Sequence, residues 1–163
     1  MEMSVVITLS SVLIGMAVTA APGISILGIS KMISKFKGNN QEKMEPMLTR
    51  FRDKELLTKT LREHGFHATV LEDQSILMES AGGKVRFYKE EGNDTYLGLP
   101  IELTDADQIC LDLDDLNEEY MANVQTQTYT CLKENLKKRN DLSLESEQIL
   151  EDDTILLTLT VNE

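Results

Sequence analysis

From Met3 to Ser30 the chain has no Asp, Glu, Lys, Arg, His, Asn or Gln. A helix rises about 1.5 Å per residue, so roughly 20 residues cross a hydrocarbon core of about 30 Å, and this run is longer than that. Val5, Val6, Ile7, Leu9, Val12, Leu13, Ile14, Met16, Ala17 and Val18 surround the axis of such a helix and leave no polar face. The interspersed Ser and Thr can bond back to helix carbonyls, which lipid tolerates. The pattern predicts a transmembrane helix serving as an anchor over residues 1–30. Pro22-Gly23 breaks or kinks it, because Pro lacks an amide donor and clashes with the preceding turn. Two readings compete: a cleavable signal peptide ending at the small residues Val18-Thr19-Ala20-Ala21, and an apolar helix buried in a soluble protein. The missing basic n-region, and Pro22 directly after the cleavage point, weigh against the signal peptide.

The flanks set a direction. Lys31, Lys35, Lys37 and Lys43 follow the apolar run, while Glu2 is the sole charged side chain before it. The positive-inside rule then places the N-terminus outside and the C-terminal domain in the cytoplasm, a single-pass membrane arrangement with the bilayer contacted through residues 3–30. Residues 31–46 read as a basic juxtamembrane segment and linker, with Lys31, Lys35 and Lys37 flanking the membrane and Gly38-Asn39-Asn40-Gln41-Glu42-Lys43 as a polar tether.

Beyond the linker the periodicity changes. Asp53 to Gly65 carries an N-cap residue, a C-cap residue and Leu56, Leu57 and Leu61 on one face, which predicts a short helix. Phe66–Glu72, Ser75–Ser80, Lys84–Glu90 and Thr95–Leu103 are rich in Val, Ile, Leu, Phe and Tyr and are separated by turn residues, so they read as consecutive antiparallel strands. Pro100 cannot donate to a ladder, which puts the last run at an edge or demotes its second half. Leu116, Tyr120, Val124, Tyr129, Leu132 and Leu136 predict a long helix from about Asp115 to Arg139. Its acids fall at the start and its bases at the end, in keeping with the helix dipole. Gln148–Glu151 and Thr154–Val161 close the chain as a hairpin turned at Asp152-Asp153. The expected fold class is α+β: the N-terminal transmembrane helix, then over residues 47–163 a small antiparallel sheet with helices packed on one face.

Charge sharpens this division. The 163 residues include 28 acidic and 16 basic side chains, a net charge of −12. Lys31 to Arg62 holds nine basic and four acidic side chains, net +5, whereas Glu63 to Glu163 is net −16. Binding to phosphate backbones gains affinity through Lys and Arg, so no nucleic acid is expected as partner. Cys110 and Cys131 stand 21 positions apart with no second Cys near either, which writes neither a disulfide framework nor a zinc knuckle.

Candidate chemistry is sparse. His64 and His67, at i and i+3, lie at a helix-to-strand junction where two imidazoles could share a metal with Glu63, Glu72 or Asp73. Asp105, Asp107, Asp112, Asp114 and Asp115 invite a calcium loop, but counted from Asp112 the sixth position is Asn117 instead of Gly and the twelfth is Asn123 instead of Glu. No G-x-S-x-G nucleophile motif occurs, and Gly82-Gly83 precedes a strand, so no phosphate loop follows. No cofactor and no catalytic residue are expected.

Leu56 with Leu61, His64-Gly65-Phe66, Val85-Arg86-Phe87-Tyr88, Tyr120 and Ile155 to Val161 occur in an order that resembles a small uncharacterised family of plastid-genome and cyanobacterial open reading frames, over about Leu48 to Val161. The family's Gly after its Val-Arg step is Phe87 here, and the N-terminal anchor lies outside the pattern. The resemblance implies no established activity and carries over no catalytic residue. The resulting expectation is a membrane-anchored, non-enzymatic binding or scaffold protein. Its acidic cytoplasmic domain presents Asp105, Asp107, Asp112, Asp114, Asp115, Glu118 and Glu119 to a basic protein partner. The alternative is a metal-binding domain or metal-dependent activity using His64, His67 and nearby carboxylates.

Overall fold

A computed structural model of the chain describes residues 3–10 and 46–161. In chain order its elements are β1 (Met3–Leu9), β2 (Met47–Leu48), α1 (Lys54–Glu63), β3 (His67–Val70), β4 (Ile76–Ser80), β5 (Gly83–Tyr88), β6 (Leu97–Leu103), α2 (Ala106–Lys137), β7 (Leu142–Ile149) and β8 (Ile155–Val161). The chain divides into two compact units, one spanning Ala20–Tyr120 and the other combining Met1–Thr19 with Met121–Glu163.

The first unit is built on a five-stranded antiparallel sheet in the order β2-β6-β5-β4-β3. As expected, α1 begins at an Asp53 cap, whose Oδ1 accepts the Leu56 N–H at 2.7 Å. It ends in a Schellman arrangement: Phe66 N donates to Leu61 O at 2.9 Å and Gly65 N to Arg62 O at 3.0 Å, with Gly65 at φ +91°. Leu57 and Leu61 are fully buried, as are Ile76, Met78, Val85 and Phe87 at alternating strand positions, so α1 and the sheet share one apolar face. Each such side chain contributes about 1.5–3 kcal/mol on burial. Phe51 meets Phe87 and Tyr120 edge to face, with ring centroids 5.5 and 4.9 Å apart.

The β4–β5 hairpin turns at Ala81-Gly82, pairing Ser80 with Gly83. A Cβ on Gly82 would lie 2.5 Å from the Ile109 backbone nitrogen, and Gly82 O accepts the Thr104 and Asp105 N–H groups at 3.0 Å. The turn therefore seats the start of α2. Pro100 is accommodated at an irregularity of the β5–β6 ladder: Lys84 pairs with Glu102 and Val85 with Pro100, which leaves Ile101 over.

The second unit is a three-stranded sheet, β1-β8-β7, with β8 in the middle. Val5 lies opposite Leu159, Ile7 opposite Leu157 and Leu9 opposite Ile155, and Leu157 and Leu159 are buried. Gln125, on the second half of α2, donates through Nε2 to Leu9 O at 3.0 Å and to Asp153 O at 2.7 Å. Two backbone acceptors at the sheet's end are thus satisfied by one buried amide. Tyr129 Oη donates to Glu147 on β7 and accepts from Lys133 Nζ, which also reaches Glu147 at 3.0 Å. These bonds, the Tyr129 hydroxyl first and then Lys133, hold the Glu147 carboxyl below the usual range.

Three expectations are corrected. Met3–Leu9 is a strand and not the start of a transmembrane helix, and among the described residues no helix is long and apolar enough to cross a membrane. The physical reason is that Val5, Val6, Ile7 and Thr8 are all β-branched, stiff at χ1 and suited to the pleated edge that β8 offers. The rest of the expected 1–30 anchor, and the basic segment with Lys31, Lys35 and Lys37 up to residue 45, lie outside the described residues. The single small sheet with helices on one face is replaced by two separate sheets within an α+β fold. Finally, α2 starts at Ala106, nine residues before the expected Asp115, because Ile109, Leu113, Leu116 and Tyr120 continue the buried helical stripe toward the N-terminus.

Candidate functional site

The earlier start of α2 reassigns every acidic residue of the candidate surface. Asp105 is spent on capping: its Oδ1 accepts the Asp107 N–H at 3.0 Å and the Gln108 N–H at 3.1 Å. Asp107 sits in the first turn, where the helix dipole favours a carboxylate. Asp112 is turned inward, 8% exposed; its Oδ1 accepts Gln108 Nε2 at 2.7 Å and its buried Oδ2 has no hydrogen-bond partner. Glu119 accepts His64 Nδ1 at 2.6 Å, tying the end of α1 to α2. Asp114, Asp115 and Glu118 remain, exposed and without an ion pair among the described residues.

These three lie two to four helical turns from the N-terminus of α2, outside the first turn in which the dipole acts. Dipole stabilisation, which accounted for them when the helix was expected to begin at Asp115, no longer does. Leu111 precedes Asp114, Asp115 and Glu118 by three, four and seven positions and so shares their face of the helix; it is 58% exposed. An apolar side chain bordered by carboxylates is the outcome, on a face that neither caps the helix nor packs into the core.

The two histidines part company. His64 pairs with Glu119 and lies against the Phe66 ring at 4.7 Å, whereas His67 is exposed on the edge strand β3, opposite Glu79. Among the described residues no group of three or more His, Cys, Asp or Glu side chains could hold a metal ion. Neither Cys110 nor Cys131 is in a disulfide among the described residues, and Cys110 Sγ donates to Ala106 O at 3.0 Å.

A second cluster escaped sequence reasoning. In the β3–β4 turn Ser75, 2% exposed, donates through its hydroxyl to Asp73 Oδ1 at 2.6 Å and through its N–H to the same oxygen at 3.1 Å. Arg86, from β5, donates through Nε to Ser75 Oγ at 3.0 Å and through Nη2 to Asp73 Oδ2. The Ser75 hydroxyl, then its N–H, and then Arg86 hold the Asp73 carboxyl below its ordinary value. The local signal was the Asp-x-Ser turn with Gln74 at φ +66°, but what brings Arg86 to it is the register of β4 on β5.

Comparison of the chain with protein-family models, with curated proteins and with solved structures gives no match.

Proposed function

We propose that the protein is a non-enzymatic binding module that engages a basic protein partner through the exposed face of α2 formed by Leu111, Asp114, Asp115 and Glu118. The observation that carries this reading is that these carboxylates lie beyond the reach of the helix dipole, unpaired among the described residues, around an exposed Leu111. Charge of one sign on a helix face steers an oppositely charged partner and sets its orientation, while the apolar side chain it surrounds supplies the contact that slows dissociation. The −12 net charge acts in the same direction. No membrane anchor enters this reading, and His64 and Glu119 act in it as the clamp that holds α1 against α2.

The test uses an amphipathic helical peptide of Lys and Leu as probe, with binding followed by fluorescence anisotropy at low and at physiological salt. Asp114→Lys with Asp115→Lys is expected to weaken binding at least about tenfold at low salt and to flatten its salt dependence. Leu111→Ser should raise the dissociation rate with little effect on association. The control is Asp141→Lys, at a carboxylate already engaged by Arg139. Equal binding by the charge-reversed and native chains overturns the proposed surface.

A further inference from the structure

We propose that the outer face of the five-stranded sheet holds a binding site for a small aromatic monocarboxylate, with Arg86 and Lys89 as its anion-binding groups. The sheet's inner positions, Ile76, Met78, Val85 and Phe87, are consumed by the core. Arg86 and Tyr88 alternate with them and therefore face outward, beside Leu99, the register partner of Arg86 on β6. Here a cavity of about 390 Å³ opens, lined by Ser75, Arg86, Tyr88, Lys89, Tyr96 and Leu99 among others. That volume is at the small end of the range of ligand pockets, suited to a molecule of one ring.

Three features point to a carboxylate. First, Arg86 is held in place from behind. Its Nε and Nη2 are occupied by Ser75 and Asp73, which fixes the guanidinium, while Nη1 makes no hydrogen bond among the described residues. A cation whose conformation is already set binds an anion without losing side-chain freedom. Second, Lys89 Nζ sits 5.0 Å from the centre of the Tyr96 ring and has no carboxylate partner among the described residues. Third, the charge balances: Arg86 and Lys89 against Asp73 leave one net positive charge in a chain of net charge −12, which matches a monoanion better than a dianionic phosphate. Tyr88, Tyr96 and Leu99 supply the apolar wall against which a ring packs. A purely structural Asp73–Arg86 pair needs neither the open cavity nor the second cation.

The test titrates the full chain with benzoate, with benzamide as the neutral isostere and with inorganic phosphate, following backbone amide NMR shifts. Saturable benzoate binding is expected with a Kd on the order of 1 mM, with shifts confined to Ser75, Arg86, Tyr88 and Leu99 and their neighbours. Benzamide should bind about tenfold more weakly, and Lys89→Met should weaken benzoate by about the same factor while leaving the spectrum of the rest of the chain unchanged. Arg86→Lys, which keeps the charge and loses the fork, should do likewise. Absence of saturation at roughly tenfold higher benzoate, equal binding of benzamide, or unchanged affinity in both variants overturns the site. Tighter binding of phosphate than of benzoate overturns the carboxylate assignment.

Discussion

Tyr120 is where the first half of α2 meets the start of α1, and its hydroxyl does a specific job. It accepts the backbone N–H of Arg52 at 3.0 Å and that of Asp53 at 3.1 Å, while the residue itself is buried. Asp53 is thereby held at φ −96° and ψ 124°, the conformation from which its carboxylate caps α1. Tyr120→Phe keeps the ring and its edge contact with Phe51, so the substitution isolates the hydroxyl. Each orphaned buried donor costs about 1–3 kcal/mol; because Arg52 and Asp53 are exposed residues that water partly reaches, the lower end applies to each, giving about 2 kcal/mol in total. With a urea m-value of about 2 kcal/mol/M the unfolding midpoint should fall by about 1 M at unchanged m. Tyr88→Phe, which removes a hydroxyl with no hydrogen bond among the described residues, should stay within about 0.5 kcal/mol of the native chain. Unfolding is best followed by amide NMR with signals from both units, so that loss of the first is not averaged with the second. A midpoint shift for Tyr120→Phe no larger than that for Tyr88→Phe would refute the argument, because the two donors would then be satisfied equally well by water.

The other predictions separate effects that are easily confused. Gly82→Ala forces a Cβ to within 2.5 Å of the Ile109 backbone and should cost more than about 2 kcal/mol in thermal unfolding. Gly65→Ala, at φ +91° in open space, should cost only the left-handed penalty of about 1–2 kcal/mol. The carboxyls of Asp73, Asp141, Glu147 and Asp152 all lie below their ordinary values, so the folded state binds fewer protons than the unfolded one over the acid range. Their stabilisation is complete above the unfolded values, near pH 4, and is lost as the pH drops through the folded ones. Melting temperature should therefore fall on acidification below about pH 4, and Asp73→Asn should flatten that slope; a slope unchanged in the variant would show that Asp73 carries none of it.

The proposed partner surface turns on where one helix begins. The Leu-Asp-Leu-Asp-Asp run at 111–115 alternates apolar and acidic residues, which reads as a loop or a helix start if Leu116 is taken as the first periodic residue. Ile109 and Leu113 show their helical phase only when their burial is known. With α2 beginning at Ala106, Asp105 becomes the cap, Asp112 an inward carboxylate, Glu119 a partner for His64, and Asp114, Asp115 and Glu118 the exposed remainder. The seven acids of the expected surface thus separate into distinct roles, and no feature of the linear sequence distinguishes them. The pairing of His64 with Glu119 is equally invisible there, since it joins residues from two helices.

What local chemistry dictates was readable in the chain itself. The cap, periodicity and glycine stop of α1, the β3–β6 meander with its turns, the disturbance at Pro100 and the strand alternation of β8 all follow from contacts among residues near one another in sequence. The N-terminal apolar run is different, because lipid and the open edge of a sheet make the same demand of a side chain: that it be apolar. Its Val-Val-Ile-Thr core is compatible with both, and only the presence of β8, with Leu157 and Leu159 needing cover, makes Met3–Leu9 a strand. The division into two sheets likewise arises from a pairing between distant segments, β1 with β8, whereas Arg86 reaches Asp73 and Ser75 through the register of the β4–β5 hairpin. The energy of such a pairing resides in the register between strands, and a register is not a property of either strand alone.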